Sequence, residues 1–262
     1  MKMKKIAICL GVLFWTLASF MAGVEYQRGD VNQDGTVTIG DVTCLIDYLL
    51  NGSWPDEPVT PPDDHEWVDL GLPSGTLWAT CNVGASAPEE YGDYFAWGET
   101  APKDYYYWNT YKWCNGDYTT LTKYCTDSSY GNNGFVDNKT ELDPEDDAAY
   151  VNWGSSWRMP TKEQQDELRE RCTSEWTQVN GVNGRLFTGP NGNTLFLPAA
   201  GYRWRESLYY AGSWGNYWSR TLYSSNLHNA CGLDFGSGES VYWTGYDRGN
   251  GFAVRAVRVS QN

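Results

Sequence analysis

Histidine is almost missing from these 262 residues: His65 and His228 are the whole supply. His65 falls in a Pro- and Asp-rich stretch and His228 in a Ser/Asn-rich one. No Gly-x-Ser-x-Gly elbow accompanies either, which argues against a serine–histidine–acid hydrolase. No Cys-x-x-Cys pair occurs, which removes a zinc ribbon and a thioredoxin-type redox site. Positive charge is scarce as well, with 19 Lys and Arg against 33 Asp and Glu and a net charge of −14. Such a chain repels nucleic acid and anionic membranes, so no nucleic-acid partner is expected and cations are the natural complement. Beyond residue 23, no apolar run is long enough to cross a bilayer.

What is present begins with Met1-Lys2-Met3-Lys4-Lys5, a basic start, and the apolar run Ile6 to Gly23. Residues 1–23 read as a secretory signal peptide, cleaved near Ala22 or Gly23. Its removal takes away three lysines and no acid, leaving the remainder more acidic still. Seven cysteines are present, and Cys44, Cys81, Cys114, Cys125, Cys172 and Cys231 lie beyond the leader. In an oxidising compartment some are expected to pair, with Cys114 and Cys125 as the local candidate and Cys44 buried in a helix face. Fourteen Trp and nineteen Tyr supply core from few residues, and also flat faces for sugars or protein partners.

Asp30-Val-Asn32-Gln-Asp34-Gly35-Thr36-Val-Thr38-Ile39-Gly40-Asp41 sets oxygen ligands at loop positions 1, 3, 5 and 12, with Gly35 at the sharp turn of position 6. Thr36 offers its carbonyl and Thr38 a place for a bridging water. Asp41 replaces the usual Glu and shortens the last ligand. The all-oxygen set suits calcium better than magnesium, which resists dehydration. Behind it, Val42, Leu45, Ile46, Leu49 and Leu50 make an apolar helical stripe stopped at Asn51-Gly52. A lone helix of this length buries its stripe only against a partner surface, in this chain or another.

This loop followed by a helix, an EF-hand-like half, resembles one repeat of the dockerin family across Gly29 to Gly52. The resemblance implies a calcium module that anchors to a cohesin. Two departures stand against cohesin pairing: one repeat is present where dockerins carry two, and Ile39 and Gly40 occupy the partner-facing loop positions that often hold hydroxyl residues. Neither touches the ligand set.

Residues 53–65 form a Pro- and Asp-rich, extended linker. The domain organisation is then 1–23 leader, 24–52 calcium repeat, 53–65 linker and 66–262 a large body. In the body, Trp67 to Gly71 and Thr76 to Cys81 read as strands about the turn Leu72-Pro-Ser-Gly75. Tyr91 to Gly98 and Tyr105 to Cys114 are aromatic runs broken by Gly, Pro and Asp. Pro144 to Tyr150 reads as a short helical turn. Thr161 followed by Gln164 is a capping box for a helix over Lys162 to Cys172, with Leu168 and Cys172 facing inward. Further strands are expected near Arg185–Thr188, Thr194–Pro198, Tyr217–Thr221, Cys231–Phe235, Val241–Thr244 and Phe252–Val259. The long irregular segments between them hint at binding loops.

The words Val68-Asp-Leu-Gly-Leu-Pro-Ser-Gly-Thr-Leu-Trp-Ala-Thr-Cys81, Tyr91-Gly-Asp-Tyr-Phe-Ala-Trp-Gly-Glu99, Asp146-Asp-Ala-Ala149, Trp157-Arg-Met-Pro-Thr161, Leu197-Pro-Ala-Ala-Gly-Tyr-Arg203, Tyr217-Trp-Ser219 and Val254-Arg-Ala-Val257 are together similar to the Fib_succ_major (FISUMP) domain of exported bacterial proteins. The resemblance implies an α+β, C-type-lectin-like body related to the formylglycine-generating enzymes, with few helices and short antiparallel strands. It also implies a thinner inner helix face, because Gln165 stands where family helices often carry an aromatic. Oxidase chemistry of that enzyme type needs a close cysteine pair near the C-terminus, and Cys231 stands alone there. The tripeptide signatures of calcium-dependent lectins are missing, so the sequence gives no support for sugar binding through calcium in the body.

For ligand contact, the ring-rich segment Tyr202 to Trp218 joins Trp243, Tyr246, Asp247 and Arg248. The expected recognition surface is Trp204, Tyr209, Trp214, Trp218, Trp243, Tyr246, Asp247 and Arg248, facing a glycan or an extracellular protein. Glu99, Asp146, Asp147, Asp234 and Glu239 are numerous enough for a glycosidase pair, but surface charge explains them more simply. The expected protein is a secreted or cell-surface calcium-binding recognition module associated with polysaccharide use. Its rival is a polysaccharide hydrolase or an accessory subunit of one.

Overall fold

In the computed structural model, the described residues are 65–238 and 241–259. The chain divides into two units, Met1–Pro62 and Asp63–Asn262, and the described residues belong to the second. The leader, the calcium loop Asp30 to Asp41, the helix behind it, the linker up to residue 64 and Glu239 lie outside the described residues.

The body is mostly β-sheet with few helices. In chain order its elements are β1 (Trp67–Asp69), β2 (Thr76–Ala79), α1 (Ala148–Trp153), α2 (Lys162–Arg171), β3 (Thr173–Val179), β4 (Val182–Thr188), β5 (Thr194–Pro198), β6 (Tyr202–Trp204), β7 (Ser207–Tyr209), β8 (Gly215–Leu222), β9 (Asn229–Phe235), β10 (Val241–Asp247) and β11 (Val257–Val259). They form three small antiparallel sheets, β1-β2-β11, β3-β4-β5 and β8-β9-β10, and a two-stranded ribbon, β6-β7. No helix among the described residues is long and apolar enough to cross a membrane.

The capping box is present. Thr161 Oγ1 accepts from Gln164 N, and the Gln164 side chain accepts from Thr161 N at 2.9 Å. Leu168 is fully buried and Cys172 packs against the core at its edge. Gln165 is buried on that inner face. Its buried amide donates to the carbonyls of Tyr217 and Trp218, both at 3.2 Å, and ties α2 to β8. A ring there would fill space but leave two buried acceptors without this donor.

Strand β3 was not expected. Its signal was nevertheless in the sequence: Asn180-Gly181 lies between two alternating runs, and both residues have positive φ (49° and 82°), as a type I′ hairpin turn needs. The final strand is shorter than expected. Only Val257–Val259 pairs as a strand, while residues 251–253 make isolated bridges.

Residues 80–147 contain only short 3₁₀ turns and isolated bridges, so most of their carbonyls lack ladder partners. Ring heads reach the carbonyls of Tyr94, Phe95 and Trp97 in this segment, and others tie neighbouring segments together. Trp97 Nε1 donates to Ser219 O at 2.8 Å, and Trp218 Nε1 to Phe95 O at 2.8 Å. The hydroxyls of Tyr94, Tyr106, Tyr111 and Tyr217 donate to the carbonyls of Ala200, Tyr94, Trp97 and Pro198. Two buried arginines do the same: Arg255 reaches Asn82 Oδ1, Ala79 O and Thr80 O, and Arg248 reaches the carbonyls of Lys123, Tyr124 and Leu227. Buried backbone must find partners, and here Trp, Tyr and Arg supply them where strands do not.

The buried acids work in this scaffold, which corrects the expectation of surface charge. Asp147 is fully buried. It caps α1 through Ala149 N and Tyr150 N and also accepts from Met159 N, joining the Asp-Asp-Ala-Ala and Trp-Arg-Met-Pro words. Glu99 accepts from Lys103 Nζ and Lys112 N, both at 2.8 Å. Asp146 accepts from Tyr124 Oη and Lys123 Nζ, both at 2.6 Å. His65 is not free in a linker: it stacks on Trp153 at 3.9 Å between ring centroids. The expected Cys114–Cys125 pair is also corrected. Cys81, Cys114, Cys125, Cys172 and Cys231 are all free thiols, and Cys114 and Cys125 each turn toward a local carbonyl.

Candidate functional site

A cleft of ≈ 450 Å³ opens beside the β6-β7 ribbon. It is lined by Tyr202, Trp204, Tyr209, Tyr210, Tyr246, Asp247, Asn250 and Phe252. That volume lies in the range of small-ligand clefts, about 300–1,000 Å³.

Pairing in the ribbon builds the aromatic wall. Tyr202 and Trp204 are two residues apart in β6 and share a face, while Arg203 points the other way and lies over the Tyr94 ring at 5.3 Å. Tyr209 sits directly opposite Tyr202, and their rings stack at 5.7 Å and 23°. Trp204 meets Tyr209 at 6.1 Å. The opposite wall comes from the end of β10 and the loop after it. Tyr246 stands edge-on to Phe252 at 4.9 Å, and Phe252 lies flat on the buried Trp218 at 4.1 Å.

Backbone strain gathers at the ends of the ribbon. Arg205, in its two-residue turn, has φ 55°, and Tyr210, just after β7, has φ 56°. Non-glycine residues adopt this region at a cost, and persist there only where the surroundings hold them. Arg205 is held by two backbone bonds to Tyr106, at 3.0 and 2.8 Å, and its guanidinium lies 4.5 Å from the Trp204 ring centroid and 5.2 Å from that of Tyr107. The entry to the ribbon needs glycine: a Cβ on Gly201, at φ 63°, would lie 2.1 Å from Tyr209 O. Arg203 and Gly251 exchange backbone bonds at 2.8 and 2.9 Å, fastening the ribbon to the far wall.

Asp247 is the charged residue of the lining. Burial raises its carboxyl above the ordinary aspartate range, and the His228 imidazole, 3.7 Å away, draws it partly back. Behind the wall, the Tyr246 hydroxyl donates to Asp234, whose carboxyl burial also raises.

Of the expected surface, Trp204, Tyr209, Tyr246 and Asp247 meet in this cleft. Trp218 and Arg248 are 0% exposed and belong to the interior, because Trp218 lies under Phe252 and Arg248 is spent on carbonyls. Trp214 is 41% exposed but stands outside the cleft, against Gly236. The side chain of Trp243 is outside the described part. Phe252, from a segment expected to be a strand, and Asn250, just before it, complete the lining. Nothing in its sequence marks these two as neighbours of the ribbon.

Among the described residues one acidic cluster has the compactness of a cation site. Carboxylate oxygens of Asp143, Glu145 and Asp146 lie within 4.8 Å of one another. Lys123 Nζ already sits among them, at 2.6 Å from Asp143, 2.6 Å from Asp146 and 3.5 Å from Glu145. An ammonium thus occupies the place a metal would take.

The family model for the dockerin type I domain matches residues 28–66. Dockerin type I domains bind calcium, which makes calcium the cofactor of this segment. The donor set Asp30, Asn32, Asp34, Thr36, Thr38 and Asp41 is all oxygen, which fits that hard cation. Dockerin domains bind cohesin partners and occur in secreted or cell-surface proteins. No curated protein and no solved structure matches the chain.

Proposed function

We propose that the protein is an exported recognition module. Its dockerin-like segment takes calcium at Asp30, Asn32, Asp34, Thr36, Thr38 and Asp41 and anchors the chain outside the cell, while the body presents its aromatic cleft to a glycan. The leader at residues 1–23 supplies export. The single observation that carries the anchoring half is the dockerin type I match at residues 28–66. A cohesin is the partner class such domains take. The lone repeat with Ile39 and Gly40 makes pairing in this chain the point to test.

We assign the body to the FISUMP family with a C-type-lectin-like fold, on the strength of the shared words quoted above. Binding is favoured over hydrolysis by the lining of the cleft. Sugars stack on ring faces and take hydrogen bonds at the rim, and rings with Asp247 and Asn250 provide both. Glycoside hydrolysis calls for two carboxylates across a cleft, and Asp247 is the one carboxylate among the described residues of this lining.

Titration calorimetry of the full chain with calcium is the test of the first half. The parent takes up calcium and the Asp30→Ala/Asp34→Ala variant does not. Equal uptake by both overturns the assignment. Pull-down from the cell envelope, with calcium and then with chelator, identifies the anchoring partner.

A further inference from the structure

The geometry points to a ligand that carries a free ammonium: a glycan with unacetylated amino-sugar units, its amine set against Asp247 and its ring faces against Tyr202, Tyr209 and Tyr246. This rests on reading the cleft as a glycan site and specifies the sugar.

The cleft has the two features that select a cation. Tyrosine, tryptophan and phenylalanine rings line it, and their negative faces attract an ammonium at close range. Among the described residues its one charged lining residue is an acid, and no Lys or Arg lines it. Arg205, at the turn of the ribbon, is engaged on the rings of Trp204 and Tyr107. A second carboxylate reinforces the far wall, because Asp234 accepts from the Tyr246 hydroxyl and so makes that ring more electron-rich.

The Asp247 side chain is 47% exposed and so open to a ligand. Partial burial raises its carboxyl, and the His228 ring lies 3.7 Å away, longer than a direct hydrogen bond. A ligand ammonium restores to that carboxylate what desolvation removes. An acidic sugar meets repulsion at the same place. A neutral or N-acetylated sugar stacks as well and can donate hydrogen bonds to Asp247, but it lacks the charge–charge attraction. The chain's net charge of −14 favours the approach of cationic ligands from a distance.

The test uses the full chain and three trisaccharides of one linkage, built from glucosamine, N-acetylglucosamine and glucose, with binding read by tryptophan fluorescence and calorimetry. The glucosamine trimer binds at least tenfold tighter than the other two, and its advantage shrinks as salt is added. Asp247→Asn brings its affinity down to that of the N-acetylated trimer. The acetylation series is read on the unmodified protein, so the test stands even if the variant fails to fold. Equal affinity for all three trimers overturns the ammonium assignment and leaves the glycan reading in place. Binding of none of them overturns the glycan reading itself.

Discussion

Two sets of aromatic rings in this molecule do opposite work. Trp97, Trp218, Tyr124 and Tyr217 are buried, and their polar heads are bonded inside the protein: Trp97, Trp218 and Tyr217 to carbonyls, Tyr124 to Asp146. Tyr202, Trp204, Tyr209 and Tyr210 stand along a narrow ribbon and face a cleft. The residue types are the same; the fate of the polar head differs. In the first set the ring head is spent on an acceptor inside the protein. In the second the rings pack on one another and on Arg205 beside an open cleft, on a backbone strained at Arg205 and Tyr210. Composition alone therefore says little about which aromatic is functional.

The largest effect that separates the two regions is expected from Arg255→Met. Burial pushes the Arg255 guanidinium down to about 10, and it remains the donor to Ala79 O, Thr80 O and Asn82 Oδ1. Losing it leaves these acceptors buried without a partner, at a cost of roughly 3–5 kcal/mol. Urea unfolding measures this, and a loss below about 1 kcal/mol would show that the carbonyls find water instead.

A smaller effect comes from acid, and again from the scaffold. Burial pushes the Asp143 carboxyl up, but hydrogen bonds from Lys123 and Lys139 outweigh it and hold the group below its ordinary value. The stabilisation is therefore complete above the ordinary aspartate range, about 4, and is lost as the pH falls through the depressed value. The urea midpoint is expected to drop as the pH falls below about 4, and less steeply in Lys139→Met. Parallel curves for the two proteins would remove Asp143 from the explanation.

The smallest effect on stability belongs to the cleft. Tyr210 is 59% exposed, and Tyr210→Ala is expected to shift stability by no more than about 0.5 kcal/mol while weakening ligand binding. If this variant unfolds as readily as a core variant, the ribbon rings are structural and the contrast between the two sets fails.

Much of the body was legible in the sequence. Thr161 and Gln164 mark the start of α2 because a capping box is a local device. Strand β5 falls where the apolar run from Thr194 to Pro198 placed it. The ribbon was not legible as strands. Its turn is Arg205-Glu206, with positive φ at Arg205, where Gly or Asn would have given the signal. The buried acids escaped for a similar reason: Asp146 and Asp147 look like surface charge until Lys123, Tyr124 and Met159, distant in sequence, arrive beside them.

By itself the sequence determined the oxygen-rich spacing of Asp30 to Asp41, the capping of α2, the acidic charge and the wealth of rings, because each depends on neighbours a few residues apart or on composition. Only the tertiary structure decided which rings face outward, that Trp218 and Arg248 are interior, and that Asp247 stands among aromatics. Those outcomes depend on contacts between segments far apart in the chain, such as Arg203 with Gly251 and Asp247 with His228, which no local pattern encodes.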